Sequence, residues 1–205
     1  MTRAESLIGE LPRNASYDVA VLGAGAAGMA AALFAALEGA RVLLVEKTEF
    51  LGGTSALSAA TTWVPNTHLA RTVGSDDTPE NARRYLDGAV GNRSPADLRD
   101  SFLRRGPAAV RELMERTEVQ FRARPFHPDY LSEVEGATAF GRALEPLPYR
   151  GERLGDDLRL VRPPIPEFTI LGGLSIDRDD IVHLLRMKRS RSEEHTSELQ
   201  SRVDI

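Results

Sequence analysis

The chain has 205 residues, with 26 Lys+Arg against 30 Asp+Glu, a formal net charge of -4 and no cysteine. At about 100–200 residues per domain, it holds one full domain, or one domain and the beginning of another, and excludes a complete multidomain enzyme. The slight acidity and the lack of a basic stripe exclude a nucleic-acid partner; zero cysteines exclude disulfides, thiolate metal sites and a cysteine nucleophile. No apolar stretch reaches the length of about 20 residues that a transmembrane helix needs. Residues 1–16 carry Arg3, Glu5, Glu10 and Arg13 without an apolar leader, so a cytoplasmic location is expected.

In chain order, residues 17–22 (YDVAVL) form a β-branched, apolar run of the kind found in buried parallel strands. An Ala-rich helix is expected over residues 26–37, with Gly39 as its C-terminal stop, followed by a second buried strand over residues 41–46. Together they predict a βαβ unit and a parallel sheet. Residues 50–58 read as a Gly/Ser/Thr loop leading into a helix start. Thr78-Pro79-Glu80 and Ser94-Pro95-Ala96 each place a hydroxyl before a proline, which predicts two further helices, the second interrupted at Gly106-Pro107. Residues 122–166 are Pro/Gly-rich and read as irregular, residues 168–171 as a strand and residues 179–185 as a helix start.

Gly23-Ala24-Gly25-Ala26-Ala27-Gly28 completes a G-x-G-x-x-G between the first strand and the helix. In that context each glycine has its own role. Gly23 permits the tight turn, Gly25 the close approach of a pyrophosphate, and Gly28 the packing of helix on strand. The amides around Ala26 and Ala27 then face the phosphates at a helix N-terminus. Glu46, at the end of the second strand and about 20 residues on, can accept hydrogen bonds from ribose hydroxyls; an acid there disfavours a 2′-phosphate and hence NADP. Lys47 follows it. Gly52-Gly53, with the hydroxyls of Thr54, Ser55 and Ser58, suits a backbone running close beneath a flavin diphosphate, which favours FAD over NAD.

Glu46-Lys47-Thr48, the run from Gly52 to Ser58 and Trp63-Val-Pro-Asn66 resemble the FAD-binding part of the fumarate reductase/succinate dehydrogenase flavoprotein superfamily, in its 3-ketosteroid Δ1-dehydrogenase-like branch. The resemblance implies an α/β, Rossmann-like FAD-binding domain, truncated and followed by the start of a substrate or cap domain. It implies FAD as cofactor and a small-molecule substrate, a hydrophobic ketone or an unsaturated acid, with hydride transfer between a CH–CH group and the flavin; the electron acceptor is left open. In that branch a tyrosine after the second helix acts near the substrate. The matching position here is Leu131, with Tyr130 one residue earlier, so Tyr130 is one catalytic candidate. Arg142, following Gly141, is the other, against the competing expectation of a structural ion pair. Two other readings remain: a non-catalytic dinucleotide-binding module, and a reductase of a small unsaturated acid.

His68, His127 and His183 stand alone without metal-ligand spacing, so no metal site is expected. The expected organisation is an N-terminal extension (1–16), the FAD-binding part (17–121), an irregular segment beginning the substrate domain (122–188) and a tail (189–205). Residues 191–201 (RSEEHTSELQS) resemble the translation of a sequencing-adapter oligonucleotide. On that resemblance the native sequence stops near Lys188, and the chain is the N-terminal part of a longer enzyme.

Overall fold

The computed structural model describes residues 14–170, 174–175 and 181. In it, the first apolar run forms β1 (Val19–Leu22), the Ala-rich run forms α1 (Ala26–Leu37) and the second apolar run forms β2 (Val42–Val45). β1 and β2 pair in parallel, Val19 opposite Val42 and Leu22 opposite Val45. The pair is clamped at its start by Asp18, whose Oδ2 accepts from the Arg41 amide at 2.8 Å. That amide and the Arg41 guanidinium hold the Asp18 carboxyl below the usual carboxylate range. Gly39 ends α1 at φ +88°, a left-handed geometry that favours glycine; its amide donates to Ala36 O and that of Ala40 to Ala35 O.

Both strands are less covered than their composition predicts. The sheet among the described residues has two strands here, β1 is largely exposed, and Leu22 is 82% accessible. α1 covers the strands without a single buried residue of its own.

The contacts divide the chain into two units, residues 1–59 with 148–205, and residues 60–147. The divisions fall at 59/60 and 147/148, whereas the sequence places a break at 121/122. The reason is a strand pairing: β4 (Phe121–Ala123) and β3 (Thr62–Trp63) both pair antiparallel with β5 (Ala143–Pro146), in the order β3-β5-β4. Residues on both sides of position 121 therefore belong to one sheet. β5 lies in the stretch read as irregular, which also holds a 3-10 segment, Gly151–Leu160. Within the first unit, β6 (Thr169–Ile170) forms as expected and pairs with β7 (Leu174–Ser175). Leu171 and, apart from Ile181, the helix start at 179–185 lie outside the described residues, as do His183 and residues 189–205.

In the unit of residues 60–147, Val64, Val110, Ala123 and Leu144 form the core, with Leu69, Val73, Met114 and Phe121 against it. α2 (Pro79–Val90) starts as predicted, Thr78 Oγ1 accepting from Asn81 N at 3.2 Å. α3 (Ala96–Arg116) starts one residue later than expected, with Pro95 rather than Ser94 at its N-cap and no side-chain cap. It also runs straight through Gly106-Pro107, correcting the expected interruption. A proline inside a helix costs about 3 kcal/mol. Packing offsets it: a Cβ at Gly106 would sit 3.0 Å from Val64 Cγ1, and Val110 one turn on is buried in the core.

Two glycines seat the 131–141 loop on α2. A Cβ at Gly88 would lie 2.6 Å from Val134 Cγ1, and one at Gly136, where φ is +84°, would lie 2.3 Å from Asn81 O. Under the loop, Arg142 is 1% exposed. Its guanidinium donates to Asp77 Oδ1 and Oδ2 at 2.6 and 2.8 Å, to Asp129 Oδ2 at 2.7 Å and to Gly136 O at 2.8 Å. Removing one member of a buried ion group strands the others without a partner, at about 3–5 kcal/mol. Arg142→Met is therefore expected to lower the stability of the chain by that amount in urea unfolding; a loss below about 1 kcal/mol would mean that water replaces the guanidinium at little cost.

Candidate functional site

The turn from β1 into α1 shows why each motif glycine is needed, and the reasons differ. Gly23 takes φ +95°, a backbone conformation that side chains rarely adopt. A Cβ on Gly28 would stand 1.8 Å from the Gly23 carbonyl oxygen, so helix and turn touch backbone to backbone. Gly25 is different. Its φ of -73° is ordinary for any residue, and a Cβ built on it meets nothing within 4 Å. Neither strain nor packing among the described residues calls for a glycine there, so the missing side chain leaves room for a group from outside.

That room lies at the N-terminus of α1. Gly25 is the N-cap and its carbonyl accepts the first helical bond, from Met29 N at 2.9 Å. The first amides of a helix, here those of Ala26, Ala27 and Gly28, have no intrahelical acceptor and lie at the positive end of the dipole. No acidic side chain occupies the first turn. The arrangement suits an anion such as a diphosphate.

Two further segments are tied to this turn through Ala24, which is fully buried. Its amide donates to Glu46 Oε2 at 2.8 Å, and its carbonyl accepts from Gly52 N at 2.8 Å. The second bond draws Gly52-Gly53 alongside the turn, with Gly25 and Gly52 bridged in parallel. Gly53 favours glycine on two counts, its φ of +55° and the close approach to the turn, since a Cβ would come within 3.1 Å of Gly25 Cα. Glu46 Oε1 in turn accepts from the Thr48 amide at 3.0 Å and the Thr48 hydroxyl at 3.1 Å. These bonds, that from Ala24 foremost, hold the Glu46 carboxyl below the usual range and favour its charged form. Glu46, expected to face ribose hydroxyls, is thus also the brace of the glycine turn.

The remaining cofactor candidates are placed unevenly. Thr54 precedes a 3-10 turn, Ser55–Leu57, which Ser58 closes; the Ser58 hydroxyl donates to Ser55 O at 2.8 Å. Thr54 and Ser58 are exposed, as is Lys47. Sequence reasoning missed Arg162. Leu51 N donates to Leu160 O at 2.6 Å and Arg162 N to Leu51 O at 2.9 Å. This brings the Arg162 guanidinium over the Phe50 ring and within 3.2 Å of Thr48 Oγ1. No local pattern announces a partner that far along the chain.

The two catalytic candidates lie in the unit of residues 60–147 and differ in setting. Arg142 is sunk in the ion group under the 131–141 loop. Tyr130 is 91% exposed and lines a pocket of about 260 Å³ with Trp63, Tyr85 and His127 among others. Leu131, beside it, is anchored through its amide, 3.4 Å from the Tyr85 hydroxyl. Among the described residues no group of three or more His, Asp or Glu could hold a metal ion, and no helix is long and apolar enough to cross a membrane.

Residues 18–188 match the family described as FAD binding domain. The 3-oxosteroid 1-dehydrogenase of Mycolicibacterium smegmatis is 36% identical over 173 residues, covering 84% of this chain and 30% of the relative. The 4-oxocyclohex-2-ene-1-carboxylate 5-dehydrogenase of Sinomonas cyclohexanicum is 36% identical over 178 residues, covering 87% of this chain and 30% of the relative. Among solved structures, the 3-ketosteroid delta1-dehydrogenase from Sterolibacterium denitrificans in complex with 1,4-androstadiene-3,17-dione matches with a TM-score of 0.75 at 30% identity, over 85% of this chain and 31% of that one. The chain thus spans under a third of the length of the relatives it matches.

Two outcomes follow from the geometry. Gly25→Val is expected to abolish binding of FAD, followed by flavin fluorescence, while the far-UV spectrum stays unchanged; Gly28→Val, which drives a side chain into Gly23 O, is expected to lose the fold together with binding. Unchanged FAD affinity in Gly25→Val would remove the turn from the site. Because Glu46 is held below its ordinary pKa, its bracing is complete at neutral pH and is lost only as pH falls through the lowered value. FAD affinity should therefore stay flat as pH falls through the ordinary glutamate value of 4.5 and drop only below it, and Glu46→Gln should bring the low-pH affinity to neutral pH. A variant that titrates like the parent would show that another group sets the acid limb.

Proposed function

The chain belongs to the FAD binding domain family, and on that premise we propose that it is the flavin-binding part of a dehydrogenase that acts on a CH–CH bond beside a carbonyl of an organic, steroid-like substrate. The observation that supports the reading is Gly25 at the N-terminus of α1, where the backbone is ordinary and a Cβ would meet nothing within 4 Å, so that neither strain nor packing among the described residues accounts for the glycine of the motif. When bound there, FAD would supply the electron sink that takes a hydride from the substrate carbon.

This chain's own residues do the holding. The amides of Ala26, Ala27 and Gly28 would receive the diphosphate, and Gly52-Gly53 would pass beneath it. Glu46 has both carboxylate oxygens engaged by Ala24 and Thr48, and each oxygen keeps capacity to accept a further bond from a ribose hydroxyl. Thr54 and Ser55 are offered as donors to the cofactor, and Ser58, whose hydroxyl donates to Ser55 O, closes the turn that carries them and keeps acceptor capacity. Of the catalytic candidates, Tyr130 is the one a substrate can reach, and Arg142 supports the fold around it. The related dehydrogenases from Mycolicibacterium and Sinomonas are named for oxosteroid and oxocyclohexene carboxylate substrates. Both names carry a ring ketone, which is the chemistry the proposal takes over. A cytoplasmic location is part of the same reading and is checked by fractionation.

The test is anaerobic. A protein carrying this sequence, extended to the length of its relatives, should purify with flavin absorbance; a 3-ketosteroid should bleach it when no acceptor is present, and an artificial electron acceptor added afterwards should restore the absorbance. Flavin binding without bleaching by any ring ketone would favour a cofactor-binding module without catalysis. Absence of flavin, before and after FAD addition, would overturn the proposal.

A further inference from the structure

Arg162 is a cation beside the cofactor turn that neither the glycine fingerprint nor the acidic strand end accounts for. Two backbone bonds bring it there: Leu51 N donates to Leu160 O at 2.6 Å and Arg162 N to Leu51 O at 2.9 Å, with Leu51 and Val161 bridged in parallel. A Cβ at Gly52 would lie 3.8 Å from Arg162 Cβ, so the side chain starts beside the Gly52-Gly53 loop. Its guanidinium then lies over Phe50, 5.9 Å from the ring centre, and donates to Thr48 Oγ1 at 3.2 Å. Arg162 Nε is buried and has no hydrogen-bond partner among the described residues. A buried donor left unpaired costs stability, which counts against what the Thr48 contact contributes to the fold.

Thr48 is the link between this cation and the site. Its hydroxyl has one proton and two acceptors in reach, Glu46 Oε1 at 3.1 Å and Phe50 O at 2.9 Å. It cannot serve both fully. A guanidinium donating to Oγ1 occupies one of its lone pairs and polarises the O–H, and a polarised donor gains more from a carboxylate than from a neutral carbonyl. Arg162 thus biases the Thr48 proton toward Glu46. Guanidinium, hydroxyl and carboxylate stand in series, and the carboxylate ends the series on the Ala24 amide at 2.8 Å. Glu46 is the group expected to accept ribose hydroxyls, and such a bond contributes most when its acceptor is already oriented.

We propose that Arg162 is a positioning residue of the dinucleotide site: through the Thr48 hydroxyl it holds the Glu46 carboxylate in the orientation that receives the adenosine ribose of FAD. The inference rests on the reading of the chain as a flavin-binding part and adds to it a residue 114 positions from the threonine it holds. Its action is confined to the ribose. The diphosphate is assigned to the amides of Ala26, Ala27 and Gly28, which the series from Arg162 to Glu46 does not include.

The full chain is titrated calorimetrically with FAD, with ADP and with 2′,3′-dideoxyadenosine 5′-diphosphate, which keeps the adenine and the diphosphate but lacks both ribose hydroxyls. The parent is expected to bind ADP about tenfold more tightly than the dideoxy compound, the size of one hydrogen bond to a charged group. Arg162→Met keeps an unbranched stem and removes the guanidinium. It is expected to weaken FAD and ADP about tenfold and to leave the dideoxy compound within about twofold of the parent. Thr48→Val, which removes the hydroxyl from the other side, should show the same pattern, and it carries the test should Arg162→Met not fold. Combining the two substitutions should add no further loss, because the residues act in series. A merely structural role for Arg162 would weaken all three ligands together, so equal losses on ADP and the dideoxy compound overturn the proposal. Additive losses in the double variant overturn it too. FAD binding by the parent, with ADP bound by Arg162→Met as tightly as by the parent, removes this inference and leaves the flavin reading standing. A parent that binds neither FAD nor ADP overturns both.

Discussion

Ala24 carries the candidate site on its two backbone groups. Its amide is fixed by Glu46 and its carbonyl by Gly52, so the end of the second strand and the Gly-Gly loop both hang from one buried residue. A methyl side chain is as much as the position tolerates, because the residue is fully buried where three segments meet. Everything a diphosphate would touch, from the helix amides to Gly53, is set by this pair of hydrogen bonds. The ion group at Arg142 plays the corresponding part in the other unit. Through Asp129 it holds the indole N–H of Trp63, and Arg142 itself donates to the Gly136 carbonyl within the 131–141 loop.

The two arrangements use charge in opposite ways. Around the glycine turn, partial positive charge from unpaired amides stays exposed and the one carboxylate is turned inward to brace the backbone. At the Arg142 group, formal charges are buried and paired with one another. The family match, the solved relative and the parallel βαβ unit agree on the fold of the first.

Much of this was legible in sequence wherever the interaction is local. Gly23, Gly25 and Gly28 fall within one turn of chain, and their spacing encodes a strand, a bend and a helix start; α1 occupies the residues expected of it. Glu46 was legible as an acid at a strand end, though its second role, bracing Ala24, was not. Arg162 escaped because its partner Thr48 lies 114 residues away. The pocket escaped because its walls come from four stretches, none of which has a pattern of its own. β5 was hidden by the prolines around it. α3 reads as broken at Pro107 because a local rule weighs the lost hydrogen bond and cannot see Val64 across the core. Strand burial was overestimated for a related reason: composition shows what a strand can bury and says nothing of how many neighbours lie beside it.

The glycines that seat the 131–141 loop on α2 have an evolutionary consequence. Since a Cβ would stand 2.6 Å from Val134 Cγ1 at Gly88 and 2.3 Å from Asn81 O at Gly136, a side chain at either would force a shift where the loop seats on α2. The exposed tip, from Tyr130 to Glu133, has no such restriction. Sequence drift at the tip therefore meets solvent, whereas drift at the loop's footing meets the backbone and side chains that hold it on α2, so the two halves of one loop stand under unequal constraint.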